Sequence, residues 1–179
     1  MCWLGCYALA VGVGVAQQAT VFPIAATLLN VGWETYFAWS PAIRYRWQRA
    51  IYRGWLGLDL LLFAQACVYG QSPPTPLWVA GLCGGVGLGW LLQRQLYLRF
   101  QQPYLQAFAI NLLMSGLFVQ RALQGGLCSP AVGWLKLLGT AAISAANVLG
   151  YVRANRAPRL PTALMSAILV LDALYLMLA

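Results

Sequence analysis

The sequence predicts an all-α membrane protein, a polytopic helical bundle with about seven transmembrane helices. Of its 179 residues, 61% are hydrophobic and 8% are charged, whereas soluble domains are about 45–50% apolar and about 25% charged. The mean hydropathy is +0.70, and the apolar residues are gathered in stretches of the kind that form membrane helices. We expect residues 1–179 to form a single transmembrane domain.

Seven apolar stretches are the predicted helices, in chain order. They run roughly over residues 2–16, 20–39, 54–70, 76–92, 104–119, 133–152 and 162–179. Several are shorter than the roughly 20 residues that cross a hydrocarbon core about 30 Å thick. A compact bundle accommodates such helices by thinning the bilayer locally.

Proline-rich joints separate several of these helices. Pro41 follows the second helix, residues 71–76 contain three prolines, and residues 156–161 precede the last helix, with Thr162 as its expected N-cap. In the fourth helix Gly81, Gly85 and Gly89 recur every four residues. That row of small residues predicts close contact with a neighbouring helix.

The charges of the connections predict the orientation in the membrane. There are 11 basic and three acidic residues, for a net charge of +8. The connections after helices two, four and six share one side and hold nine arginines: Arg44, Arg46, Arg49, Arg53, Arg94, Arg99, Arg153, Arg156 and Arg159. The other side holds Arg121 and Lys136. The positive-inside rule therefore places the N-terminus and the Arg-rich connections in the cytosol, and we expect no nucleic-acid partner.

The chain contains no histidine, which excludes His-ligated metals and nucleophiles paired with histidine. The five cysteines form no CxxC motif, and we expect them to be buried thiols. The N-terminus lacks a cationic stretch, so we expect no cleaved signal peptide. The carboxyl groups Glu34, Asp59 and Asp172 are therefore almost the whole supply of acid–base chemistry.

All three carboxyl groups fall inside predicted helices, where ionisable residues usually face a bundle interior. Glu34 shares a helix face with Asn30 and Thr27. Asp59, near the start of the third helix, has two open interpretations: a chemical role, or a structural role as an ion pair with Arg53 or at the helix terminus. Asp172 has no basic residue in its own helix, so we expect a protonated carboxylic acid there, suited to general-acid catalysis.

Two further helices carry polar ladders. The fifth has Asn111 and Ser115, and the sixth has Thr140, Ser144, Asn147 and Tyr151 on one face. Interhelical hydrogen bonding is the ordinary role of such side chains. Lining a shared pocket is the alternative.

Four short motifs occur in order along the predicted helices. They are an N-x-x-W-E stretch followed by tyrosine at 30–36, W-x-x-x-D at 55–59, N-x-x-M-S at 111–115 and D-x-x-Y at 172–175. In this order they resemble motifs of the integral-membrane terpene cyclases of fungal meroterpenoid and indole-diterpenoid pathways, a family with bacterial members. The excess of arginine over lysine favours a bacterial protein of the inner (plasma) membrane.

The resemblance implies a seven-helix enzyme, of isomerase or lyase type, that cyclises a farnesyl or geranylgeranyl chain without removing diphosphate. The reaction begins when a terminal alkene or epoxide is protonated. The resemblance assigns proton donation or its support to Glu34 and Asp172, and a less defined role to Asp59. With no diphosphate to bind, neither a metal nor another cofactor is implied.

A carbocation needs a dry pocket with aromatic faces. The residues predicted to bind the prenylated substrate are Asn30, Trp33, Tyr36, Trp55, Asn111, Ser115, Phe118, Asn147 and Tyr175. Three alternatives remain open: a non-catalytic protein that binds lipid or sterol, a sterol-isomerase-like enzyme, and a proton-coupled transporter.

Overall fold

The described residues fold into seven α-helices and no strand, as predicted. The structure is a computed structural model that describes residues 2–40, 43, 45–71, 73–153 and 159–179, with the backbone alone at 103, 151–153 and 159. The helices are α1 (Cys2–Gln17), α2 (Ile24–Phe37), α3 (Arg46–Tyr69), α4 (Pro76–Phe100), α5 (Pro103–Leu123), α6 (Pro130–Arg153) and α7 (Arg159–Leu178).

Four of these helices, α3, α4, α6 and α7, are long and apolar enough to cross a membrane, and α1 is a shorter apolar helix. The predicted boundaries were wrong at the arginine-rich ends. Helix α3 begins at Arg46 and α4 continues to Phe100, because no glycine or proline interrupts either stretch. Seven arginines predicted in connections therefore lie on helices, namely Arg46, Arg49, Arg53, Arg94, Arg99, Arg153 and Arg159. Arg44 and Arg156 lie outside the described residues.

Local signals account for other helix ends. The Thr75 side chain accepts a hydrogen bond from the Trp78 backbone N–H at 3.2 Å, and Pro76 occupies the first turn of α4. Gln101 ends α4 with a φ of 52°, in the left-handed region. Thr162 is not an N-cap, contrary to prediction, because α7 already begins at Arg159.

The helices form a closed circuit around the bundle axis. Each helix of the order α1–α3–α2–α5–α7–α6 packs against the next, and α6 packs back against α1. Helix α4 lies outside this circuit and packs mainly against α2. The interior of the circuit is therefore bordered by six helices.

Glycines allow α2 and α4 to approach closely, which confirms part of the predicted small-residue row. A Cβ at Gly32 of α2 would lie 2.6 Å from the backbone nitrogen of Trp90, and one at Gly89 would lie 3.1 Å from the Leu28 carbonyl oxygen. Gly85 faces the Leu28 side chain. Gly81 faces open space instead, so it takes no part in this contact.

The two halves of the bundle differ in packing. In one half, side chains of α1 and its neighbours fill the interior of the circuit. The core of this filled half contains Cys6, Ala10, Phe22, Leu62, Phe118 and Tyr175. The first turn of α1 lies beside the middle of α6, where the Trp3 ring packs against Gly139. Beyond this point the interior of the circuit is hollow.

Replacing Gly32 by alanine should destabilise the protein by about 1–3 kcal/mol, because the new methyl group would meet the α4 backbone. Thermal unfolding in detergent micelles measures the effect. Gly81→Ala is the matched control and should leave stability unchanged or slightly higher, since nothing lies within 4 Å of its added Cβ. Equal melting temperatures for the two variants would contradict this helix contact.

Candidate functional site

A cavity of about 470 Å³ occupies the hollow half of the bundle. Its wall comes from the first turns of α1, the end of α2, the first halves of α3 and α5, and the second half of α6. The ends of α2, α4 and α6 and the starts of α3, α5 and α7 therefore lie toward this end. The volume is in the range of about 300–1,000 Å³ that small-molecule sites occupy.

Glu34 is the one carboxyl group on the cavity wall among the described residues. It is 6% exposed, and its Oε2 atom has no hydrogen-bond partner in the described part of the chain. The predicted α2 stripe is confirmed as a buried face, because Thr27 and Asn30 are buried with Glu34. An apolar site with an uncompensated carboxyl oxygen is costly and is therefore a candidate for chemistry.

Aromatic rings cover the wall beside Glu34. Trp33 meets Tyr52 edge to face, with ring centroids 5.1 Å apart, and Tyr52 lies 5.7 Å from Trp55. The indole N–H groups of Trp33 and Trp55 are buried without a hydrogen-bond acceptor among the described residues. The wall thus presents π faces to a ligand and contains two indole N–H groups without an acceptor among the described residues.

Tyr7 of α1 lines the same cavity. Its hydroxyl accepts a hydrogen bond of 2.8 Å from the Asn30 side-chain amide. Glu34 lies on the same wall. Helix α3, which carries Asp59, packs against both α1 and α2, and its Gln65 donates to the Val11 carbonyl of α1 at 2.7 Å. Tyr7, Glu34 and Asp59 thus come from neighbouring helices on one side of the cavity, and we call them the acid cluster.

Asp59 of this cluster is fully buried behind the cavity wall. It is 0% exposed, and neither carboxyl oxygen has a hydrogen-bond partner among the described residues. The alternative of an ion pair with Arg53 was wrong, because the Arg53 Nε atom donates to the Ala38 carbonyl at 3.3 Å. Asp59 lies more than three turns inside α3 rather than near its start. Its spacing of six residues from Arg53 places the two side chains on different faces of this helix.

Asp172 belongs to a different cluster, and it is ion-paired. Lys136 of α6 donates to its Oδ1 atom, and both side chains are 1% exposed. Ser115 donates to the same oxygen at 2.7 Å, and Thr140 donates to Oδ2 at 3.0 Å. The expectation of a protonated, unpaired Asp172 was therefore wrong, because its counter-charge comes from another helix.

Lys136 was predicted only as a charge on the membrane side opposite the arginine-rich connections, without a partner. Helix α6 begins at Pro130, so Lys136 lies in its second turn and points into the bundle. Its ammonium group is 5.3 Å from the centroid of the Trp3 ring, which adds a cation–π contact. Sequence alone did not reveal this pairing, because the two partners are 36 residues apart.

The structure brings together some of the predicted substrate-binding residues and separates others. Those on the cavity wall are Asn30, Trp33, Trp55, Asn111 and Asn147. Four are elsewhere: Tyr36 packs on Trp90 and Tyr97, Phe118 and Tyr175 pack on each other, and Ser115 bonds Asp172. Asp59 and Asp172 do not line the cavity. The Tyr151 side chain lies outside the described residues.

Several wall residues were not predicted. They include Trp3, Tyr7, Gln48, Tyr52, Tyr104 and Phe108. The four-residue spacing of Trp3 and Tyr7, and the three-residue spacing of Tyr52 and Trp55, are signals that place each pair on one helix face. Those spacings were available in the sequence, but which face turns toward the cavity follows only from the packing.

Comparison with known proteins does not assign a family. No protein-family model, curated protein or solved structure matches this chain. In the described part of the chain, no group of three or more cysteine, histidine, aspartate or glutamate side chains is placed to hold a metal ion. The geometry of the cavity is therefore the basis for a functional proposal.

The buried ion pair makes a prediction about stability. Asp172→Asn should destabilise the protein by about 3–5 kcal/mol, because it leaves the Lys136 charge buried without its partner. The double variant Lys136→Met/Asp172→Leu should recover most of this loss, since a buried pair is often replaceable by apolar side chains. Unfolding in mixed micelles compares the variants. A double variant as unstable as Asp172→Asn would contradict the pairing.

Proposed function

We propose that this protein is a membrane-bound terpene cyclase. In this proposal it protonates a terminal alkene or epoxide of a prenyl chain and closes rings through carbocations, without loss of diphosphate. The observation that carries the proposal is the Glu34 carboxyl, buried in an aromatic-walled cavity of a membrane bundle with one oxygen unpartnered. The order of the four sequence motifs supports the same reaction class.

Glu34 is the proposed general acid. No described lysine or arginine pairs with its carboxyl, and an isolated carboxylate is strongly disfavoured in an apolar site. The neutral acid is therefore the form that the surroundings favour, as in enzymes that keep a carboxylic acid protonated for donation. Proton transfer forms a C–H bond at an alkene, or an O–H bond at an epoxide, and leaves a carbocation on the chain.

The aromatic wall supports the next step. A carbocation in this cavity is stabilised by the faces of Trp33, Tyr52 and Trp55 through cation–π attraction. Their rings are edge-to-face or tilted relative to one another, so faces are presented in more than one direction. Exclusion of water favours ring closure over capture of the cation by water.

The polar groups of the wall suit an oxygen-bearing substrate head. The free indole N–H groups can donate to an epoxide, phenol or carbonyl oxygen, and the unpartnered Oδ1 atom of Asn111 can accept a hydrogen bond. Gln48 lies on the wall between Arg46 and Arg49 in sequence. We propose that this end faces the cytosol of a bacterial cell, and that a farnesyl- or geranylgeranyl-substituted aromatic enters from the inner membrane.

Glu34→Gln should lower cyclisation by at least about 100-fold, since loss of a general acid costs about 10²–10⁴-fold in rate. The assay supplies farnesyl- and geranylgeranyl-substituted aromatics, with and without a terminal epoxide, and analyses products by mass spectrometry and NMR. The wild type should yield products of unchanged mass with fewer double bonds. Glu34→Asp retains the carboxyl and should keep measurable activity.

Three outcomes would change the assignment. Full activity of Glu34→Gln would remove Glu34 from the mechanism. If a folded Lys136→Met/Asp172→Leu variant has lost turnover, proton donation would be assigned to Asp172. Substrate that binds the wild type but is recovered unchanged across the panel would favour a non-catalytic lipid- or sterol-binding protein.

A further inference from the structure

The acid cluster contains more groups than protonation of the substrate requires. Asp59 is fully buried and lacks a hydrogen-bond partner for either oxygen among the described residues. Helix α3 packs against both α1 and α2. Its Trp55 lines the cavity with Tyr7, and its Gln65 donates to the Val11 carbonyl of α1 at 2.7 Å, so Asp59, between these two residues, lies level with Tyr7. Such a carboxyl is expensive to bury, and no hydrogen bond or ion pair within the described residues offsets that cost.

Tyr7 is the side chain that connects Asp59 with the cavity. It lines the cavity wall together with Glu34, and its helix packs against α3, which carries Asp59. Because its oxygen already accepts from Asn30 at 2.8 Å, its own proton is left to donate elsewhere. Its ring is fixed between Trp3 and Phe22, at centroid distances of 5.9 Å and 4.9 Å.

We propose that Tyr7 is a catalytic residue, the base that ends the reaction, and that Asp59 is the proton reserve behind it. The inference rests on the proposed cyclase function. In the proposed steps, the Asp59 carboxyl rotates into hydrogen-bond reach of the Tyr7 hydroxyl. Tyr7 then exchanges protons with Glu34 and with the substrate, and Asp59 exchanges protons with Tyr7. Glu34 starts the reaction.

The protons balance over one cycle. After Glu34 has protonated the substrate, Asp59 gives its proton to Tyr7 as Tyr7 gives its own to the Glu34 carboxylate. At the end, the carbocation loses a proton from an adjacent carbon to the Tyr7 oxygen, and the Tyr7 proton returns to Asp59. The C–H electron pair becomes the new double bond. One proton is added and one is lost, so the product is an isomer of the substrate.

Tyr7→Phe tests this assignment through the identity of the products. The probe is a geranylgeranyl-substituted phenol with a terminal epoxide, given to purified protein in lipid nanodiscs in single-turnover experiments. Substrate should still be consumed, at a reduced rate, because Glu34 still protonates it while the cavity wall has lost a hydroxyl group. The products should change from the wild-type isomer to a different alkene or to a water adduct.

Asp59→Asn should produce the same change in products, and Tyr7→Phe/Asp59→Asn should add nothing further, because both residues act in one path. Tyr97→Phe is the matched control, since that ring packs on Phe37 and Tyr36 outside the cavity. It should retain the wild-type products. If Tyr7→Phe forms the same product as the wild type, whatever the reaction rate, the inference is overturned.

Infrared spectroscopy of the resting protein tests the cluster without a substrate. Asp59→Asn should remove one carbonyl band of a protonated carboxyl, and Tyr7→Phe should shift that same band. If Asp59→Asn removes no band, or if Tyr7→Phe does not shift it, the role of the pair is overturned even where cyclisation is established. If both spectral changes occur but the protein cyclises none of the substrates, the proposed function is contradicted, while the coupling of Tyr7 with Asp59 is still supported.

Discussion

The ion pair between Lys136 and Asp172 is the interaction on which the rest of the bundle depends. A charged side chain at the centre of a bilayer costs several kilocalories per mole unless it is paired, so α6 and α7 are stable together only when these residues meet. Ser115 brings α5 to the same carboxylate, and the Trp3 ring brings α1 to the ammonium group. One contact thereby sets the register of four helices.

The polar groups of the ion-pair site are satisfied, whereas several around the cavity are not. Both Asp172 oxygens accept hydrogen bonds, whereas Glu34, Trp33, Trp55 and Asn111 each keep a buried polar atom without a partner among the described residues. Native proteins contain few such atoms. Their convergence on one cavity, rather than their number, is what distinguishes a candidate site from an ordinary helix contact.

Sequence patterns predicted the fold better than the site. Apolar stretches and proline joints were sufficient for seven helices in order, because each helix in a membrane must satisfy its own backbone. They could not locate helix ends where arginines continue a helix, as at Arg46. The motif that contains Glu34 pointed to the cavity, whereas Asp172 was misjudged because its partner on α6 is a property of packing. Tyr7 was missed because its importance depends on Asn30 and Asp59, on two other helices.

The separation of the two halves has a consequence for how such a chain can diverge. Side chains such as Phe108, Ile110 and Ile143 shape the cavity but take no part in the ion pair or in the core around Cys6 and Phe118. Changes at these positions alter the shape of the cavity while the helix register is held elsewhere. A scaffold of this kind can therefore acquire a cavity of different shape in evolution while the contact that sets its helix register stays the same.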